Sequence, residues 1–283
     1  FYKWKNDPKI WLSFGIGFVI SFLLSNKVVI FSEKHNTLLQ INEAFVWTFG
    51  DAKSILIMSL CLLLLFSDIP ILTNDVPFMM VRMSRLLWLI SQFVYVIIAT
   101  FIFVCFVLLS TILLSSQNAY TANFWSNTAA ILGYSNIGEE IAVPAFVKVL
   151  EMSKPYEVTA HIFLLLLGYS VLLSGVVLTF NLIRENFGMV AGIVISCMGF
   201  LMNPEVIKNI LHLSQAKEKL ANIIFGWISP LNHATYYMHN FGYDMLPKLW
   251  VSYTFFLTLG IVLFAIAYMR TKKYSFNFTG TGR

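Results

Sequence analysis

The sequence predicts an all-α membrane protein with six transmembrane helices, and three observations predict it. Of its 283 residues 58% are hydrophobic and only 12% charged, against about 25% charged in an ordinary soluble domain. Mean hydropathy is +0.75, and several runs with almost no charge reach the roughly 20 residues a helix needs to cross a bilayer. Lys and Arg gather at alternate ends of these runs, as they do where basic residues are retained on the cytoplasmic side.

The spans read as residues 10–30, 54–72, 87–114, 158–183, 187–202 and 249–269, with the fifth the shortest. A basic segment, "FYKWKNDPK", leads straight into the first span without a cleavable signal pattern. Placing this segment inside puts Lys3, Lys5, Lys9, Arg82, Arg85, Arg184, Arg270, Lys272 and Lys273 in the cytoplasm, together with both termini. The other side then holds segments 31–53, 115–157 and 203–248. The last two are long for loops without structure of their own, so helices are expected in them. After Pro204, Val206, Ile207, Ile210 and Leu211, then Leu220, Ile223 and Ile224, recur at helical spacing. No internal repeat or low-complexity tract marks a second domain, so 1–283 reads as one transmembrane unit.

The net charge of +5 is scattered, with no basic stripe interleaved with base-reading side chains, which excludes nucleic acid as a partner. Cys61, Cys105 and Cys197 fall inside apolar runs and behave as small hydrophobes. Glu139 and Glu140 are adjacent, so on a helix they point about 100° apart and are poorly placed to share a reaction. His233 and His239 lie six apart, not at the i, i+4 spacing of a helical zinc pair. No metal site and no catalytic residue is therefore expected, although His161, an ionisable group at membrane depth, stays a functional candidate. Asp68 reads as a cap for the turn before Pro70.

Between the second and third spans, Thr73, Asn74 and Asp75 offer N-caps and Pro77 suits a first helical turn. A short helix over about 75–86 would set Asp75, Phe78, Arg82 and Arg85 on one face and Val76, Met80, Met83 and Leu87 on another. An interfacial anchor whose arginines reach headgroups fits this pattern, and so does a docking helix. Phe78, an aromatic between charges, favours docking, because aromatics and Arg dominate protein contact sites. In the fifth span Gly188, Gly192 and Ser196 recur every four residues, a small-residue stripe that lets helices approach closely, within the chain or across a dimer.

The six spans with both ends inside, the short helix after the second span and the helical segment before the last resemble the ABC-2 type permease family. These are the membrane subunits of bacterial ABC exporters. The wording "FSDIP" and then "VPFMMVRMSRLLWLISQFVYV" is similar to permeases of low-GC Gram-positive bacteria. The resemblance implies that the 75–86 helix is a coupling helix, with Asp75, Phe78, Arg82 and Arg85 seated on a separate nucleotide-binding ATPase subunit. It implies that ATP and Mg2+ bind that partner, since this chain has no G-x-x-x-x-G-K-[ST] cradle. It also implies a second permease chain, identical or homologous, and a path lined by spans one, two and five, whose width the Gly188, Gly192 and Ser196 stripe helps set. The location would be the bacterial plasma membrane. The cargo would be amphipathic or hydrophobic, in keeping with 26 Phe, and antimicrobial or signalling peptides are among the cargoes of such permeases. A secondary transporter or channel working without ATP is the alternative, and it predicts intramembrane carboxylates or broken helices.

Overall fold

Through the middle of the first helix, small side chains line the inner face, with Ile10, Val28 and Phe31 buried nearer its ends. In the computed structural model α1 (Pro8–Lys34) buries Ser13, Gly17, Ser21 and Ser25, while Trp11, Leu12, Val19 and Leu23 point outward. The serine hydroxyls bond carbonyls one turn back, Ser13 to Lys9 O and Ser21 to Gly17 O, so these hydroxyls are paired where they face the core. A methyl at Gly17 would stand 3.1 Å from the ring of Phe103. This inside-out pattern suits a helix whose outer face meets lipid and whose inner face needs close approach.

The structure describes residues 4, 7–71, 76, 81–135, 137–140, 143, 145–184, 187–201, 204–210, 212, 218–242 and 245–274. After α1 a short connection carries β1 (Leu39–Gln40), then α2 (Glu43–Phe49) and α3 (Ala52–Leu65), which meet at an 88° bend. Asp51 caps α3, its carboxylate accepting from Lys53 N at 3.2 Å. Gly50 makes the corner, because the ring of Tyr237 lies where any β-carbon would be. Next come α4 (Arg85–Ser115), β2 (Ala119–Tyr120), α5 (Asn127–Tyr134), α6 (Ile137–Glu140) and α7 (Val147–Met152). They are followed by α8 (Pro155–Ile183), α9 (Phe187–Leu201), α10 (Pro204–Ile210), α11 (Glu218–Ile228), α12 (Pro230–Ala234) and α13 (Leu249–Lys273). β1 and β2 pair in parallel, Leu39 opposite Ala119, tying the connection after α1 to the one after α4.

Of the helices long enough to cross a membrane, the most enclosed is α8, which packs on α2, α3, α4, α9, α12 and α13. Tyr169, Leu165, Leu173 and Val177 supply its share of the core. By length and composition, α1, α4, α8 and α13 can cross a membrane, and the bent α2 and α3 make a fifth candidate if taken as one span. α9 is a shorter apolar helix.

The second span, expected over 54–72, is helical only over Ala52–Leu65. Pro70 lacks an N–H and biases the residue before it away from helical torsions, so the helix ends ahead of it. The expected helix over 75–86 does not run through to its end. Val76, Val81 and Arg82 are helical, but Ser84 is extended and caps α4, accepting from Leu87 N at 3.2 Å. Arg85 therefore opens α4 and does not share a helix with Arg82. The long segments 115–157 and 203–248 carry α5 to α7 and α10 to α12.

Candidate functional site

Two of the basic residues that the sequence places inside, Lys9 and Arg85, make bonds that join helix ends at one end of the bundle. Lys9 Nζ meets both carboxylate oxygens of Asp68, at 2.6 and 2.7 Å. Asp68 is thus a tether for the start of α1 rather than a turn cap. Both side chains are about half exposed, so the pair contributes about 0 to 1 kcal/mol and acts mainly by position. Trp4 Nε1 donates to Tyr95 Oη at 3.0 Å, docking the segment before α1 on α4. Ile71 N donates to Gln92 Oε1 at 3.2 Å.

Arg85 closes the same end from the other direction. Its Nη1 donates to the carbonyls of Thr271, Lys272 and Tyr274, at 3.0, 2.7 and 3.3 Å. These carbonyls lie at the C-terminus of α13, where the last turn has no intrahelical donors and a cation is favoured. Arg82 is exposed. Asp75 and Phe78, the other two docking candidates, lie outside the described residues.

Asn181 fixes the third junction of this end. Its Oδ1 accepts from Gly188 N at 2.7 Å and its Nδ2 donates to Ile69 O, joining α8, the start of α9 and the segment after α3. Gly188 is held so close that a methyl there would collide with Val177 O and the Asn181 side chain. Gly192 sits against Leu63 and Val177, and Ser196 is fully buried with its hydroxyl on Gly192 O at 2.9 Å. The stripe is thus turned into the chain's own interior, toward α3 and α8. The opposite face of α9, with Val190, Ile193, Val194 and Met198, is exposed.

Beyond the far end of α9 lies a cavity of about 410 Å³, almost wholly apolar, between α9, α10 and α11. Ile195, Met198, Ile207, Ile210, Ile224 and Phe225 line it. The spacing of Ile207, Ile210 and Ile224 gave the helices but not the cavity, which depends on how α10 and α11 fold back.

The end opposite the arginines is built around aromatic rings. Tyr237 Oη donates to Val46 O at 2.8 Å, and Trp47 packs against the rings of Trp125 and Tyr237. Glu43, fully buried, accepts from Ser126 N at 2.7 Å and Ser126 Oγ at 2.6 Å, linking α2 to α5. His161 Nδ1 lies 2.7 Å from Tyr253 Oη, joining α8 to α13. His233 and His239 both reach Ser252 on α13, a residue no local pattern singled out. Burial pushes His233 below the usual histidine range and His239 further, to about 4. Among the described residues no three His, Cys, Asp or Glu side chains could hold a metal ion.

These features define a mostly helical, multi-pass membrane protein, gathered by basic side chains at one end and by aromatic and histidine contacts at the other. No family model, no curated protein and no solved structure matches the chain.

Proposed function

We propose that the chain is the permease subunit of an ATP-driven ABC exporter in a bacterial plasma membrane, with six spans and both termini cytoplasmic. The observation that carries this reading is the way the arginine end is assembled. The starts of α1, α4 and α9 and the ends of α3, α8 and α13 meet there through Lys9–Asp68, Trp4–Tyr95, Asn181 and Arg85. In this reading six helices run between the two ends, of which four are each long and apolar enough to cross a membrane. α3 and α9, with 14 and 15 residues, are short for a span, at about 21 and 22 Å for a 1.5 Å rise. Even so, α9 starts against Asn181 of α8, which accepts from Gly188 N, and finishes beside Ser229, whose hydroxyl bonds Gly199 O at 3.2 Å.

In this reading Arg82, beside the short helical turn after α3, faces the ATPase subunit, with Asp75 and Phe78 completing the contact. Arg85 ties that turn to α13, so force applied there reaches the last span. ATP and Mg2+ act on the partner, and ATP shifts the bundle between states only by binding them unequally. Two permease chains, identical or homologous, enclose the path, and the exposed face of α9 is open to such a neighbour or to lipid. The apolar cavity suits a hydrophobic or amphipathic cargo, a peptide among them.

The test is gentle purification from the native membrane followed by mass spectrometry. A stoichiometric P-loop ATPase is expected, and its absence under crosslinking would overturn the reading. One observation favours an ATP-independent secondary transporter instead: the 88° break between α2 and α3, with a buried carboxylate, Glu43, at the start of α2. Transport that survives ATP depletion but stops when ion gradients collapse would select that alternative.

A further inference from the structure

Two histidines at the end opposite the arginines compete for one hydroxyl proton. His233 Nε2 lies 3.0 Å from Trp227 O, and His239 Nδ1 lies 3.0 and 3.1 Å from Thr235 O and Tyr236 O. Carbonyl oxygens only accept, so each of these ring nitrogens carries its hydrogen. In a neutral imidazole the other nitrogen is then a bare acceptor. Those other nitrogens, His233 Nδ1 and His239 Nε2, both point at Ser252 Oγ, at 2.8 and 2.7 Å. A serine hydroxyl has one hydrogen to give. With both rings neutral, one nitrogen lone pair faces an oxygen lone pair at hydrogen-bond distance, in a place where all three side chains are buried to 1% exposure or less.

We propose that His233, Ser252 and His239 form a binding site for a single proton, taken up from water at this end of the protein and shared by the two imidazoles through the serine hydroxyl. The balance is simple: a hydronium ion gives up one proton, one imidazole becomes imidazolium, and no other bond breaks. The imidazolium donates to Ser252 Oγ, Ser252 donates to the other imidazole, and every donor in the trio has an acceptor. A second proton is excluded, because Ser252 would then face two donors and have no acceptor for its own hydrogen.

The surroundings fit one charge and no more. His233 stacks on Phe255 with centroids 4.1 Å apart and planes 18° apart, a ring face that stabilises a cation. Lys148 on α7 opposes positive charge at His239. From α8, Glu157 acts on Tyr236, His161 stacks on Tyr236 and bonds Tyr253, and Tyr237 faces α2. The Trp227 side of His233 is the part-buried edge where the proton enters. Burial favours the neutral rings, so uptake belongs below the ordinary histidine value of 6.5. The site goes beyond the exporter reading and does not depend on it.

The test is ¹⁵N-histidine NMR of the whole chain in nanodiscs, titrated from pH 7 to pH 4, with rings assigned by single substitution. The wild type is expected to show one transition shared by His233 and His239 that integrates to one proton. His239→Asn keeps a donor for the Thr235 and Tyr236 carbonyls and leaves the Ser252 hydrogen to His233 alone. In that variant the transition is expected to vanish. If His239→Asn fails to match wild-type thermal unfolding at pH 8, Ser252→Ala serves as the second variant, with loss of sharing expected. Two separate protons, no proton on either ring, a His233 transition that persists in His239→Asn, or a transition still shared in Ser252→Ala would overturn the site.

Discussion

Arg82 and Arg85 answer differently to substitution, and the difference separates docking from folding. Arg85 Nη1 holds three carbonyls at the end of α13, whereas Arg82 is exposed. A charge-assisted hydrogen bond contributes about 1.5 to 3 kcal/mol where it is buried. The three here are shared by one nitrogen and two of them are exposed, so the sum stays well below three full bonds. A cation at a helix C-terminus contributes about 0.3 to 1 kcal/mol. Arg85→Ala is therefore expected to destabilise the purified chain by about 1 to 2 kcal/mol. Arg85→Glu costs more, because it sets a carboxylate against carbonyl oxygens. Arg82→Glu is expected to change stability by less than about 0.5 kcal/mol, as surface substitutions do. Thermal unfolding in detergent, followed by a thiol-reactive dye that reports the opening of buried Cys61, measures all three. On the exporter reading Arg82→Glu also releases the ATPase at unchanged stability. Equal unfolding profiles for the Arg85 and Arg82 variants would refute the capping argument. Retained ATPase association in Arg82→Glu would remove Arg82 from the docking surface.

The other junctions give sharper stability tests. Asn181→Leu leaves Gly188 N and Ile69 O without the partners they have now, at about 1 to 3 kcal/mol each in a buried site. Partial rescue within a membrane brings the expected loss to about 1 to 3 kcal/mol in total, and wild-type thermal unfolding would refute the clamp. Gly192→Leu forces a side chain into Leu63 and Val177 and is expected to cost about 1 to 3 kcal/mol or to part α9 from α3, which a crosslink between cysteines placed on those helices would report. Glu43→Gln keeps an acceptor for Ser126 N and is expected to unfold close to wild type. Glu43→Leu leaves Ser126 N and the Ser126 hydroxyl hydrogen without an acceptor and is expected to lose about 2 kcal/mol; equal losses for the two variants would count against the bridge between α2 and α5.

What the sequence determined by itself was the solvent and the helices. A chain with 12% charge and long uncharged runs has to hide its backbone polar groups in helices and its apolar side chains in lipid, whatever it packs against. That logic located α1, α4, α8, α9 and α13 to within a few residues. It also put Lys9, Arg82, Arg85, Arg184 and Arg270 on one side, because charge at a membrane edge is a local property. It could not see where Ser84 would break the run after Val81, since a serine serves equally well as a helix residue and as a cap until the chain turns. The small-residue stripe was legible, but which neighbour it faces was not, because Gly188, Gly192 and Ser196 fit any close helix. Only the packing of α3 and α8 assigns it to the interior. Ser252 is the clearest case. It is an ordinary residue in the fourth position of an apolar helix, and it gains chemical meaning only when α12 and the turn after it deliver two imidazoles to its hydroxyl. Hydrogen bonds between residues 13 and 19 apart, set by the fold rather than by spacing, leave no periodic trace in the sequence.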